Sequence, residues 1–162
     1  MRTIYFIVFI TVMALSGQGA LAQSGNEKAA KVSNPTNTEN ASGQVITITK
    51  KDFLEKVYNY EKNREQFIYE GTLPCIIDFY ADWCGYCKIV DPILKDLANE
   101  YKGKIVVYKV YTDNERELAR AFGIQALPSY FFIPAKGDPV VLSGAKPRET
   151  FVQMIDDLLL KK

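Results

Sequence analysis

Cys75-Ile76-Ile77-Asp78-Phe79-Tyr80 is an almost unbroken apolar run of strand length, broken by a single carboxylate. Such a run marks a central strand buried on both faces, which requires a sheet with helices packed on each side. The flanking periodicities agree. Val90, Ile93, Leu94, Leu97 and Tyr101 fall on one face of a helix, and Pro92 lies inside it and should kink it. Upstream, Val45, Ile46 and Ile48 predict a short strand. Thr49 and Asp52 then form a capping-box-like pair for a helix that turns Phe53, Leu54 and Val57 inward. Downstream, Ile105 to Val110 reads as a strand, and Thr112-Asp113-Asn114-Glu115 as the cap of a short helix holding Leu118, Ala121 and Phe122 and stopped by Gly123. Tyr130 to Ile133 and Val140 to Leu142 read as a hairpin around Gly137-Asp138-Pro139. A last helix opens at Pro147 and buries Phe151, Ile155, Leu158 and Leu159. The expected fold is α/β, a central mixed sheet flanked by helices on both faces.

Only residues 45–162 carry these signals. Arg2, the apolar stretch Ile4 to Leu15 and the small-x-small pattern Ala20-Leu21-Ala22 predict a signal peptide over residues 1–22. An uncleaved anchor is the alternative, because Thr3 to Ala22 is uncharged over 20 residues. Residues 23–44 are polar, with Val32 their one large apolar side chain, and read as a flexible spacer. Asn40-Ala41-Ser42 matches a glycosylation sequon, a motif common by chance.

The chain has 20 basic and 19 acidic side chains, too balanced to neutralise a run of phosphates, so no nucleic-acid partner is expected. With no histidine, the commonest general base and metal ligand is missing. Three cysteines remain, Cys75, Cys84 and Cys87. Cys84-Gly85-Tyr86-Cys87 stands where the buried strand gives way to the helix, with both thiols on one face of the first turn. There the unpaired N–H groups and the positive end of the helix dipole lower the pKa of the first cysteine. Cys84 is therefore the expected nucleophile and Cys87 the resolving thiol. A four-ligand metal site fails for want of donors, and covalent haem fails because Lys88, not histidine, follows Cys87. A static structural disulfide is the remaining alternative.

Residues 74–101, Pro-Cys-Ile-Ile-Asp-Phe-Tyr-Ala-Asp-Trp-Cys-Gly-Tyr-Cys-Lys onward, resemble the thioredoxin active-site segment. The likeness extends over most of Val45 to Lys162 and includes Asp78, Pro92, Lys109, Leu127-Pro128 and Gly144. It implies the thioredoxin fold and no cofactor beyond the cysteine pair. It also implies that Asp78 is the buried carboxylate that accepts the Cys87 proton, with Lys109 beside it as an alternative ion-pair partner. Pro128 resembles the family's cis-proline, and Trp83, Gly85, Tyr86, Leu127 and Gly144 complete the implied substrate-binding set. Cys75, three residues from Asp78, falls on the opposite strand face and reads as a buried small hydrophobe.

Tyr86 departs from the proline typical of thioredoxins, and Gly85-Tyr86 also resembles periplasmic disulfide isomerases. That leaves the direction of electron flow open. The expected function is an exported, monomeric thiol-disulfide oxidoreductase of a bacterial periplasm, reducing protein disulfides with electrons from a membrane or envelope donor. An oxidase or isomerase, and a redox-inert peptide-binding module, are the competing readings.

Overall fold

The computed structural model describes residues 42–161. The signal-peptide, anchor and sequon readings, and all but the last three residues of the spacer, lie outside them. Five strands form one sheet in the order β1-β3-β2-β4-β5. They are β1 (Val45–Thr47), β2 (Cys75–Tyr80), β3 (Val106–Tyr111), β4 (Ser129–Ile133) and β5 (Val140–Ser143). The apolar run is β2, in the middle of the sheet, parallel to β3 and antiparallel to β4. β1 adds to β3 in parallel, and β5 to β4 antiparallel, so the sheet is mixed as expected.

Helices cover both faces. On one, α2 (Gly85–Glu100) and α4 (Arg148–Met154) pack Val90, Leu94, Leu97, Phe151 and Ile155 onto Ile76, Val107 and Phe132. α2 runs through Pro92. α4 opens on Pro147 as N-cap and continues as a π-helical turn, Ile155–Leu159, that buries Ile155 and Leu159. On the other face, α1 (Lys50–Lys56) and α3 (Arg116–Ala121) bring Phe53 and Leu118 against Ile77, Phe79 and Phe131.

Local chemistry explains where these helices start and stop. Thr49 and Asp52 form the expected capping box of α1. Residues 112–115 do not cap α3 as expected. Its N-cap is Glu115, with no side-chain cap bond, because Thr112 Oγ1 donates to the Tyr80 carbonyl and the Asp113 carboxylate is taken by Trp83. At the other end, Gly123 at φ +63° lets two N–H groups turn back, Gly123 to Arg120 and Ile124 to Ala119, which closes α3 in a Schellman motif.

Residues 57–74 contain an aromatic cluster that periodicity does not reveal. Tyr58 and Tyr69 form an isolated bridge, and Tyr58, Tyr60 and Phe67 pack beside Phe122 under the α1/α3 face.

Candidate active site

β2 ends at Tyr80, and after the short turn Ala81-Asp82-Trp83 the chain enters α2 with Cys84 as its N-cap. In place of the usual hydroxyl or carboxylate, the Cys84 sulfur accepts the Cys87 N–H at 3.1 Å. The first turn holds no acid, so nothing there opposes negative charge on Sγ. Cys84 and Cys87 are joined as a disulfide, with their Cα atoms 5.3 Å apart. Both sulfurs' residues are nearly buried, packed with Ala81 and against Leu127. Tyr86 keeps a backbone N–H that a proline at this position would lack, but it is not the donor that reaches the sulfur. That donor belongs to Cys87.

Asp78 lies on the α2/α4 face of β2, only 3 % exposed, with Oδ1 lacking any hydrogen-bond partner. Burial pushes its carboxyl up to about 7, against the pull of Lys109 and with a further push from Asp91. Lys109 is its register partner on β3. The alternative reading, an Asp78–Lys109 ion pair, is not what the structure shows, because the ammonium bonds the Asp91 carboxylate of α2 and sits 4.2 Å from the centre of the Tyr80 ring. The pair with Asp91 keeps some water around both charges, which a pair with Asp78 would not. A cleft of about 250 Å³ opens here between Cys87, Lys88 and Asp91 of α2 and Tyr80 and Lys109 of the sheet.

The rim is apolar and exposed. Trp83 is 70 % exposed and its Nε1 donates to Asp113 at 3.0 Å, while Tyr86 and Ile89 also face solvent. The Leu127–Pro128 bond is cis, and Leu127 precedes the first ladder residue of β4, Ser129. Gly144, at φ +80°, donates its N–H to the Pro128 carbonyl at 2.8 Å. The site therefore gathers Cys84, Cys87, Trp83, Gly85, Tyr86, Leu127 and Pro128 at one end of the sheet, with Asp78 on the strand that leads into the cysteine turn and Gly144 bonded to the proline carbonyl. A Cβ on Gly85 would meet nothing within 4 Å, so packing does not demand glycine there.

Cys75 faces the other side of the sheet, fully buried and reduced, its thiol pushed up to about 12 by burial despite the opposing influence of the neighbouring Tyr69 hydroxyl. Among the described residues, no cluster of three or more acidic or cysteine side chains could hold a metal ion, and no helix is long and apolar enough to cross a membrane.

Sequence reasoning missed Asp91 and Asp113. Asp91 had a signal, since Cys87, Asp91 and Lys95 recur at intervals of four along α2 and share a face. Asp113 had none, because its partner Trp83 is 30 residues away.

The thioredoxin family profile matches residues 44–157. A thioredoxin of Borreliella burgdorferi is 43% identical over 112 residues, covering 69% of this chain and 95% of that protein. Thioredoxin 1 of a Nostoc species is 33% identical over 92 residues, 57% of this chain and 86% of its own. The chloroplastic M-type thioredoxin of Spinacia oleracea is 36% identical over 95 residues, 59% of this chain and 52% of that protein.

Proposed function

The chain belongs to the thioredoxin family of protein-disulfide oxidoreductases, which work through a cysteine pair without a cofactor, and on that premise we propose that it reduces protein disulfides in an exported compartment. The observation that carries the reading is Cys84 at the N-cap of α2, its sulfur held by the Cys87 N–H and bonded to a second cysteine one turn on.

In the reduced protein, the Cys84 thiolate attacks a substrate disulfide R–S–S–R′, forming Cys84–S–S–R and expelling R′–S⁻. Asp78 accepts the Cys87 proton, directly or through water, and the Cys87 sulfur attacks Cys84 Sγ. That step expels R–S⁻ and forms the Cys84–Cys87 disulfide. Two electrons pass to the substrate, and its sulfurs take up two protons. Leu127, outside the β4 ladder, leaves its backbone for an extended substrate strand, and Trp83 and Tyr86 provide the apolar rim.

The signal-peptide pattern of residues 1–22 supports export. An exported reductant needs electrons from a membrane or envelope donor, because such compartments are held oxidising. Gly85-Tyr86 favours a second reading, an isomerase or oxidase, which differs in reduction potential.

The roles of the two cysteines are tested by substitution. Cys84→Ser should abolish insulin reduction, and Cys87→Ser should accumulate reducible adducts with substrate, because the resolving thiol is gone. Adducts with Cys84→Ser and none with Cys87→Ser would reverse the assignment.

A further inference from the structure

The register of the sheet sets Lys109 beside Asp78, and a buried carboxylate with no partner on Oδ1 is the obvious recipient of its charge. The ammonium is instead drawn across to α2. Asp91 uses both oxygens as a lysine receptor: Oδ1 takes Lys109, and Oδ2 takes Lys95 at 2.6 Å. The Tyr80 ring fixes the third side of Lys109. We propose that Asp91 is a positioning residue for the dithiol chemistry, holding Lys109 at the cleft and so keeping that charge from neutralising Asp78. The proposal rests on the reading of Asp78 as acceptor of the Cys87 proton.

Solvation decides which carboxylate Lys109 chooses. The side chains of Lys109 and Asp91 retain 14% and 24% of their exposure, whereas an ion pair at Asp78 would be nearly dry. A dry pair costs more in desolvation than a partly hydrated one, so the ionised Asp91 wins the competition for Lys109 as long as it is present. Asp91 is also well suited to stay ionised. Burial raises its carboxyl, but the hydrogen bonds from Lys109 and Lys95 outweigh that and hold it below the ordinary range.

The other groups around Asp78 do not replace Lys109. From β4, Tyr130 is its register partner, with a buried hydroxyl that has no hydrogen bond of its own and a phenol that burial keeps protonated. The cleft beside Lys109 is lined by Cys87 and Lys88 of α2 and by Asp82 of the turn before it, and Lys88 and Asp82 are both exposed to solvent there. α4 presents apolar side chains, Phe151 and Ile155. Lys109 is therefore the one cation that could pair with Asp78 from its own sheet, and Asp91 controls it.

The test uses Asp91→Asn, which keeps the shape and removes the charge, with Asp91→Glu as the conservative rescue. The Asp78 carboxyl is titrated directly by NMR in the full chain carrying ¹³C-labelled aspartate carboxyls. The pH profile of insulin reduction is measured in parallel. Asp91→Asn should lower the Asp78 midpoint by about one pH unit, a tenfold change in its proton affinity, and carry the acid limb of the rate profile down with it. Asp91→Glu should restore both.

Lys109→Met separates positioning from direct repulsion. If Asp91 acts through Lys109, the effect of Asp91→Asn largely vanishes in a Lys109→Met background. If it persists at full size, the positioning role is overturned. A folded Asp91→Asn protein with an unmoved Asp78 midpoint also overturns the proposal. A moved midpoint with a rate profile that ignores both Asp91→Asn and Asp78→Asn overturns instead the proton-acceptor reading, and with it any catalytic use of Asp91.

Discussion

A carboxyl group 3 % exposed, with an oxygen that nothing satisfies, ties the stability of the fold to pH. The Asp78 carboxyl lies at about 7 in the folded chain, against an ordinary value of 3.8. The folded state therefore binds this proton more tightly than the unfolded one. Below about pH 4 both states hold it and the group costs nothing. Between the two values the unfolded state ionises first and stability falls. Above about pH 7 both are ionised and the loss is complete. Asp78→Asn cannot ionise, so its stability relative to the parent should rise from about pH 4 to about pH 8, by up to roughly 4 kcal/mol. Urea unfolding of the two oxidised proteins across that range measures the slope, and parallel curves would mean that Asp78 titrates normally. This acid is legible in the sequence because it interrupts an apolar run, and burial alone explains its shift. Its failure to pair with Lys109 is not legible, because two carboxylates compete for one lysine and solvation, not register, chooses between them.

At the scale of the element, two similar capping patterns meet different fates. Thr49 and Asp52 find each other because they lie three residues apart, and the other partner of the Asp52 carboxylate, Lys56 of the same helix, takes Oδ1 and leaves Oδ2 to the cap. Thr112 and Asp113 sit in an equally cap-like setting, but tertiary partners claim them, the Tyr80 carbonyl for one and the Trp83 indole for the other. Thr49→Ala should therefore cost about 1 kcal/mol, as for loss of a working N-cap. Asp113→Ala should leave stability within about 0.5 kcal/mol. It should instead move the single indole N–H resonance upfield, as Trp83 loses its acceptor. Thermal denaturation and proton NMR on the two variants separate these outcomes, and an equal destabilisation of both would return Asp113 to a capping role.

For the whole molecule, the central apolar strand dictates the rest. Putting β2 in the middle of five strands forces helices onto both faces and brings the cysteine pair to the end of the sheet where β2 hands over to α2. That much follows from residues 75–101. The aromatic packing of residues 57–74 does not, since its rings meet Phe122 across the fold with no local period to announce it. The same assembly bears on the direction of electron flow. One N–H and the helix terminus favour the Cys84 thiolate, and so the reduced form. Leu127 adds no side-chain donor, and Asp78, with Lys109 turned toward Asp91, opposes a second negative charge nearby. These terms place the couple between the reference value of about -270 mV for thioredoxin and about -180 mV for protein disulfide isomerase, nearer the former. Equilibration of the protein with glutathione buffers, followed by counting reduced thiols, measures it. A potential near the strongly oxidising value of about -120 mV would identify an oxidase and overturn the reductase reading, because at that potential the Cys84–Cys87 disulfide would take electrons from substrates instead of giving them.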